Sequence, residues 1–195
     1  MTMSYRSSKN RRTSVKERRG WLIQSLQTHL LPVLLEQGFA VAPAVAPGHS
    51  GPVERELVLA LPLGRLVRHR EGGVDLIEID FRKYRRAAFR IAAGVAPKEG
   101  LMTLTGHWPA EDIHVGWLNE FYVMYALPRW RVSFFTWHWP YQSPTQGDYQ
   151  RLAQRVAGFV PELELALREG GLGPHMRRFL IPRTFIRQEQ TDAVV

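Results

Sequence analysis

The side chains best suited to chemistry in this chain are carboxylates and histidines. Glu78 and Asp80 stand two apart in Leu76-Ile77-Glu78-Ile79-Asp80-Phe81. On an extended strand, positions i and i+2 project from one face, so the pair has a geometry that acid/base work can use. A solvent-side row of Glu78, Asp80 and Arg82 beside Arg90 has the same spacing, and exposed ion pairs of that kind contribute at most about 1 kcal/mol. Glu111 and His114 are three apart, which on a helix gives the E-x-x-H spacing of metal-carboxylate bundles. Such sites need a second pair on a facing helix, and the chain has no second E-x-x-H. Glu111 and His114 are therefore the metal candidates of a sequence that predicts no metal and no cofactor. A hydrolase or metal site would have to gather His107, Glu111, His114 and Glu78 by folding.

Two glycine-bearing stretches lack the context their chemistry requires. Gly48-His49-Ser50-Gly51 would be a nucleophile elbow only with a glycine at 52, where Pro52 stands. Gly170-Gly171-Leu172-Gly173 follows a helical pattern, whereas phosphate-cradling glycines precede one, so it is a helix stop.

Binding chemistry is better represented. The stretch Trp117 to Tyr141 holds ten of the 21 aromatic residues, more than a strand pair can bury, so some must be exposed. Trp and Tyr combine large apolar area with a polar handle, which makes Trp130, Trp137, Trp139 and Tyr141 candidates for a protein-docking face. Trp137-His138-Trp139 with Arg129 and Arg131 also has the composition of a base-stacking surface. Phosphate-neutralising candidates are Arg11, Arg12, Arg18 and Arg19 in an N-terminal arm, and Arg82, Lys83, Arg85 and Arg86 at a polar corner. The net charge of +8 is concentrated in that arm: residues 1–20 carry seven Lys/Arg against Glu17 alone. No zinc-finger or RNP pattern accompanies these clusters.

The elements that must position these residues follow from periodicity and capping. Ser14-Val15-Lys16-Glu17 has capping-box spacing, and Trp21, Leu22, Leu26, Leu30, Val33 and Leu34 recur at helical steps. One amphipathic helix, with a kink threatened at Pro32, is predicted to end near Gln37 before Gly38. After a Pro/Gly loop the sheet should begin over Glu54 to Leu61. Glu71-Gly72-Gly73 is a hairpin-type turn, followed by a strand with Ile77, Ile79 and Phe81 inside and by a second alternation through Ala87, Phe89, Ile91 and Ala93. Pairing of the two would place Arg90 opposite Glu78 or Asp80. A strand is predicted over Leu101 to Thr105, a short helix over 109–118, and a hairpin of Phe121 to Leu127 with Arg131 to Trp139 around Pro128-Arg129. Asp148 is the expected cap of a closing helix through Leu152, Val156, Val160, Leu163 and Leu167, interrupted at Pro161.

This order is an α+β fold: N-terminal helix, antiparallel sheet of about five strands built from hairpins, C-terminal helix. Its parts would be a basic arm over 1–13, one domain over 14–173 and a C-terminal tail over 174–195. The chain lacks cysteine and any run approaching the ~18 apolar residues of a membrane helix. Its basic start lacks the apolar stretch of a secretory signal, so a cytoplasmic protein is expected.

The helix ending in Leu34-Leu35-Glu36-Gln37-Gly38-Phe39, the strand Leu76 to Phe81, and Phe89-Arg90-Ile91-Ala92-Ala93-Gly94-Val95 resemble bacterial domains of unknown function with a helix, antiparallel sheet, helix layout. Some of these are suspected immunity or adaptor partners of toxins, and the resemblance implies protein binding rather than catalysis. The sequence therefore points first to a non-enzymatic protein-binding module with an aromatic-rich sheet surface. Nucleic-acid association through the arm, and a small hydrolase or metal enzyme with a His/Glu site, are the alternatives.

Overall fold

A computed structural model describes residues 13–42, 64–81, 87–103, 106–127, 132–136 and 143–181. The predicted strand over Glu54 to Leu61 and the Gly48-His49-Ser50-Gly51 stretch lie outside the described residues.

Helix α1 spans Val15–His29, and the Ser14 hydroxyl accepts the Glu17 N–H at 3.1 Å, as an N-cap should. The predicted single helix breaks at Leu30, and α2 (Leu31–Glu36) restarts with Pro32 in its first turn, where the missing N–H costs nothing. Leu22, Leu26, Leu30 and Leu34 stay buried through the break, so one apolar stripe runs along both helices.

Strand β1 (Ala40–Val41) pairs with β2 (Arg65–Arg70), and β2 turns through Glu71 and Gly72 into β3 (Gly73–Phe81). Strand β4 (Ala88–Ala96) pairs β3 from Val74↔Ala96 to Phe81↔Phe89. Of the two carboxylates expected opposite Arg90, Asp80 faces it in this register and joins it at 2.6 Å, while Glu78 lies opposite Ala92. Strands β5 (Leu101–Thr103) and β6 (Gly106–Trp108) form a separate hairpin.

Residues 109–118 are not the predicted helix. They form two 3-10 turns, Ala110–Asp112 and Val115–Trp117, separated by extended Ile113 and His114. The Val115 N–H donates to Glu78 Oε1 at 3.0 Å instead of to a helical carbonyl, and Ile113 and Val115 are both buried.

Of the hairpin predicted around Pro128, whose Arg131 and 137–139 lie outside the described residues, one antiparallel bridge is present, and the flanking strands lie end to end on β4 instead of on each other. β7 (Glu120–Met124) pairs β4 at Ala92 and Ala93, and β8 (Phe135–Thr136) rejoins β4 at Ala88 and Phe89. A single Leu127↔Val132 bridge closes the excursion between them. Phe135 returns because its ring stacks on Phe89, at 5.2 Å between centroids, inside the core.

Helix α3 (Gln146–Ala157) is capped by Thr145, not by the predicted Asp148, which closes the capping box from three residues inside. Helix α4 (Val160–Glu169) carries Pro161 in its first turn and stops at left-handed Gly170. Within the segment predicted as a tail from 174, Met176–Leu180 form β9, which pairs β7.

The sheet is seven-stranded and antiparallel, in the order β1-β2-β3-β4-β7-β9 with β8 also on β4. The α+β class, with helices at the N- and C-terminal sides of an antiparallel sheet, is the predicted one; the last strand, β9, follows the C-terminal helices. All four helices pack on one face, where Leu26, Ile77, Ile79, Phe89, Ile91, Tyr149, Val156 and Leu163 share a core. Each such large apolar side chain contributes about 1.5–3 kcal/mol relative to exposure. The other face is covered too: Val74, Leu76, Ala92 and Ala96 pack under Ile113, Val115 and Leu118. The predicted solvent-side row on β3 is therefore a partly covered face. No helix among the described residues is long and apolar enough to cross a membrane.

Candidate functional site

Most of the residues singled out for binding lie outside the described residues: Trp130, Trp137, Trp139 and Tyr141, and also Arg11, Arg12, Arg82, Lys83, Arg85 and Arg86. Arg18 and Arg19 are described, in the first turns of α1. Arg18 is partly buried and lies near Tyr149, whose phenol pKa burial raises while the Arg18 charge pulls it back. Its charge thus sits on the side of α1 that faces α3.

The four acid/base candidates do not converge. His114 Nδ1 lies 3.1 Å from Glu78 Oε1, and the same carboxylate oxygen takes the Val115 N–H. Glu111 faces His69 at 3.3 Å, while His107 Nε2 meets the Glu99 carbonyl at 2.6 Å. Glu78 and His114 therefore make a carboxylate-imidazole pair, with the Trp117 ring 4.9 Å from the imidazole. Such a pair fixes the orientation of a ring. The Arg65 guanidinium beside it donates to the Ile113 carbonyl; burial pulls its pKa down, against the pull upward of Glu78, Asp112 and Glu111. This arrangement pins the 3-10 segment to the sheet. Among the described residues, no three His, Asp or Glu side chains gather as a metal site would require.

The described surface with binding character is the sheet edge at β9. Tyr125 N donates to His175 O at 2.7 Å and Ile181 N to Asn119 O at 2.8 Å, at the two ends of the β7–β9 ladder. In an antiparallel pair hydrogen-bonded residues alternate, so Arg177 and Phe179 also turn their backbone groups toward β7. Arg178 and Leu180 consequently aim N–H and C=O away from the sheet, and no strand among the described residues takes them up.

Side chains on this edge are exposed except for Met176. Phe179 is 37% exposed and stacks on Phe121, with centroids 5.3 Å apart and rings within 13° of parallel; Leu180 is 66% exposed. Arg178 lies 3.7 Å from Glu120, while Arg177 pairs with no carboxylate among the described residues. The Tyr122 hydroxyl donates to Glu120 at 2.6 Å, and its pKa is pushed up to about 12 by burial and by that carboxylate. Glu120 is thereby shared between Tyr122 and Arg178.

Sequence reasoning placed Phe121 in the aromatic stretch and missed its partner. The available signal was Phe179-Leu180-Ile181, an apolar run bounded by Gly173-Pro174 and Pro182. No protein-family model, curated protein or solved structure matches the chain.

Proposed function

We propose that this chain is a non-enzymatic protein-binding module, of adaptor or immunity type, that docks its partner on the aromatic-bearing end of its sheet. The observation that supports the reading is the Phe121–Phe179 stack at a sheet edge whose outermost strand is exposed at every residue but Met176. Aromatic side chains half in contact with their own fold and half in water are the usual anchors of protein interfaces. The carboxylate-imidazole pairs among the described residues lie apart from one another: Glu78–His114 also holds Val115, Glu162–His175 also takes the His175 N–H, and Glu111–His69 is exposed, so they support a catalytic alternative less well. A cytoplasmic site of action belongs to the same proposal and rests on the absence of cysteine.

The test is photo-crosslinking in cells that produce the full chain, with a benzophenone amino acid replacing Phe179 in one version and exposed Gln150 of α3 in another. A discrete protein adduct at 179 and none at 150 is the expected result. The same adducts at both positions, or none at either, would remove the reading. An adduct at 179 abolished by nuclease would transfer it to nucleic acid.

A further inference from the structure

We infer that the partner is engaged by strand addition: an extended acidic segment of another protein pairs antiparallel with β9, carrying two apolar residues followed by two carboxylates. The inference rests on the protein-binding reading above and names what that edge takes.

The backbone sets the first condition. Arg178 and Leu180 present alternating N–H and C=O groups outward, spaced as one side of an antiparallel ladder. A polypeptide strand matches alternating donors and acceptors, whereas a phosphate backbone offers acceptors alone. Side chains set the second condition. In an antiparallel addition, the incoming chain runs past Leu180, Phe179, Arg178 and Arg177 in that order. Leu180 and Phe179 call for apolar residues, the second against the Phe121–Phe179 stack. Arg178 and Arg177 project to opposite faces of the strand, so each meets its own carboxylate, and opposite charges directly across a ladder stabilise the pairing. Arg177 has no acidic partner among the described residues, and Arg178 has only the long 3.7 Å contact with Glu120. The two adjacent arginines of β9 give this edge a local positive charge that favours an acidic segment. A second copy of the chain would bring the same two arginines and the same excess charge, so the acidic partner is favoured over self-pairing.

The experiment uses fluorescence anisotropy of labelled Thr-Val-Phe-Glu-Glu-Thr against the full chain, with Thr-Val-Phe-Lys-Lys-Thr as the comparison. Saturable binding of the first, weaker by about tenfold or more for the second, is expected. Leu180→Pro removes one outward N–H and leaves every β7–β9 bond in place, and it should weaken the acidic peptide about tenfold at unchanged melting temperature. Arg177→Glu with Arg178→Glu is the second variant, which should invert the preference to the lysine peptide. Equal binding of both peptides, or full binding by Leu180→Pro, overturns strand addition. A dimer in light scattering that Leu180→Pro dissociates overturns it in favour of a second copy. If the peptide fails while the benzophenone at 179 still captures a protein, strand addition falls and the module reading stands. If both fail, both fall, and the arginines only guard a bare edge.

Discussion

Arg68 on β2 and Asp75 on β3 face each other across the hairpin, with Nη2 2.7 Å from Oδ2 of a carboxylate that is fully buried. Arg70 holds the other oxygen at 2.5 Å, and Arg68 also reaches Glu164 of α4 at 2.9 Å, the Gln37 carbonyl at 2.8 Å and the Phe39 ring. Three segments besides β2 meet on this one guanidinium: β3, α4 and the link from α2 to β1. Removing a single partner of a buried pair strands the remaining charge, so Asp75→Ala should lower stability by about 3–5 kcal/mol in urea denaturation. An effect below about 1 kcal/mol would mean the network is no more than a surface pair.

The hairpin beside that pair makes a second, sharper contrast. Gly73 has φ +150, and a Cβ there would lie 2.6 Å from the Ala96 carbonyl oxygen, while one on Gly72 would meet nothing within 4 Å. Gly73→Ala is expected to cost about 1–3 kcal/mol, since β4 cannot retreat without breaking its ladder with β3. Gly72→Ala should be nearly neutral. Thermal melts of the two variants compare them directly.

The α3 start couples stability to pH. Burial favours a protonated Asp148, but hydrogen bonds from the Thr145 N–H and hydroxyl and from Arg151 outweigh it and hold the carboxyl below its usual range. A group whose pKa is lowered on folding stabilises above its unfolded pKa, and that contribution is lost as pH falls through the folded value. Asp148→Asn should therefore cost stability at pH 7 and flatten the decline below about pH 4, relative to the parent chain. Thr145→Ala should cost about 1 kcal/mol, within the range for N-caps. Urea midpoints at pH 7 and pH 3 measure both.

What was legible in the sequence was local. Leu22 to Leu34 and Val74 to Phe81 repeat with the periods of a helix and a strand, so their inward faces could be named from spacing alone. That Arg90 would lie opposite Glu78 or Asp80 followed from pairing the two strands, and the register chose Asp80. What failed depended on distant partners. Nothing between 109 and 118 says that the Val115 N–H will be taken by Glu78, thirty-seven residues earlier in the chain, and without that bond the Pro109-Ala110-Glu111-Asp112 start reads as a helix. The second buried face of β3 was hidden for the same reason: Val74 and Leu76 are covered by Ile113 and Val115, which periodicity cannot place. Phe179 gained meaning only when β9 set it against Phe121, fifty-eight positions earlier.

The parity of β9 yields the last prediction. Phe179 turns its N–H toward β7, whereas Leu180 turns its own outward, although the two are neighbours in sequence. Proline lacks that N–H, so its cost depends on which side of the strand it faces. Phe179→Pro deletes a ladder bond to Phe121 and the stack of the two rings at once, and should destabilise by about 2–4 kcal/mol. Leu180→Pro deletes a donor that no described strand uses and should stay within about 1 kcal/mol of the parent. Hydrogen exchange gives an independent view, because Phe179→Pro should speed exchange at Val123 and Tyr125 on β7 and Leu180→Pro should leave both protected. Equal destabilisation by the two prolines would show that the outward side of β9 is already paired and that the edge is closed.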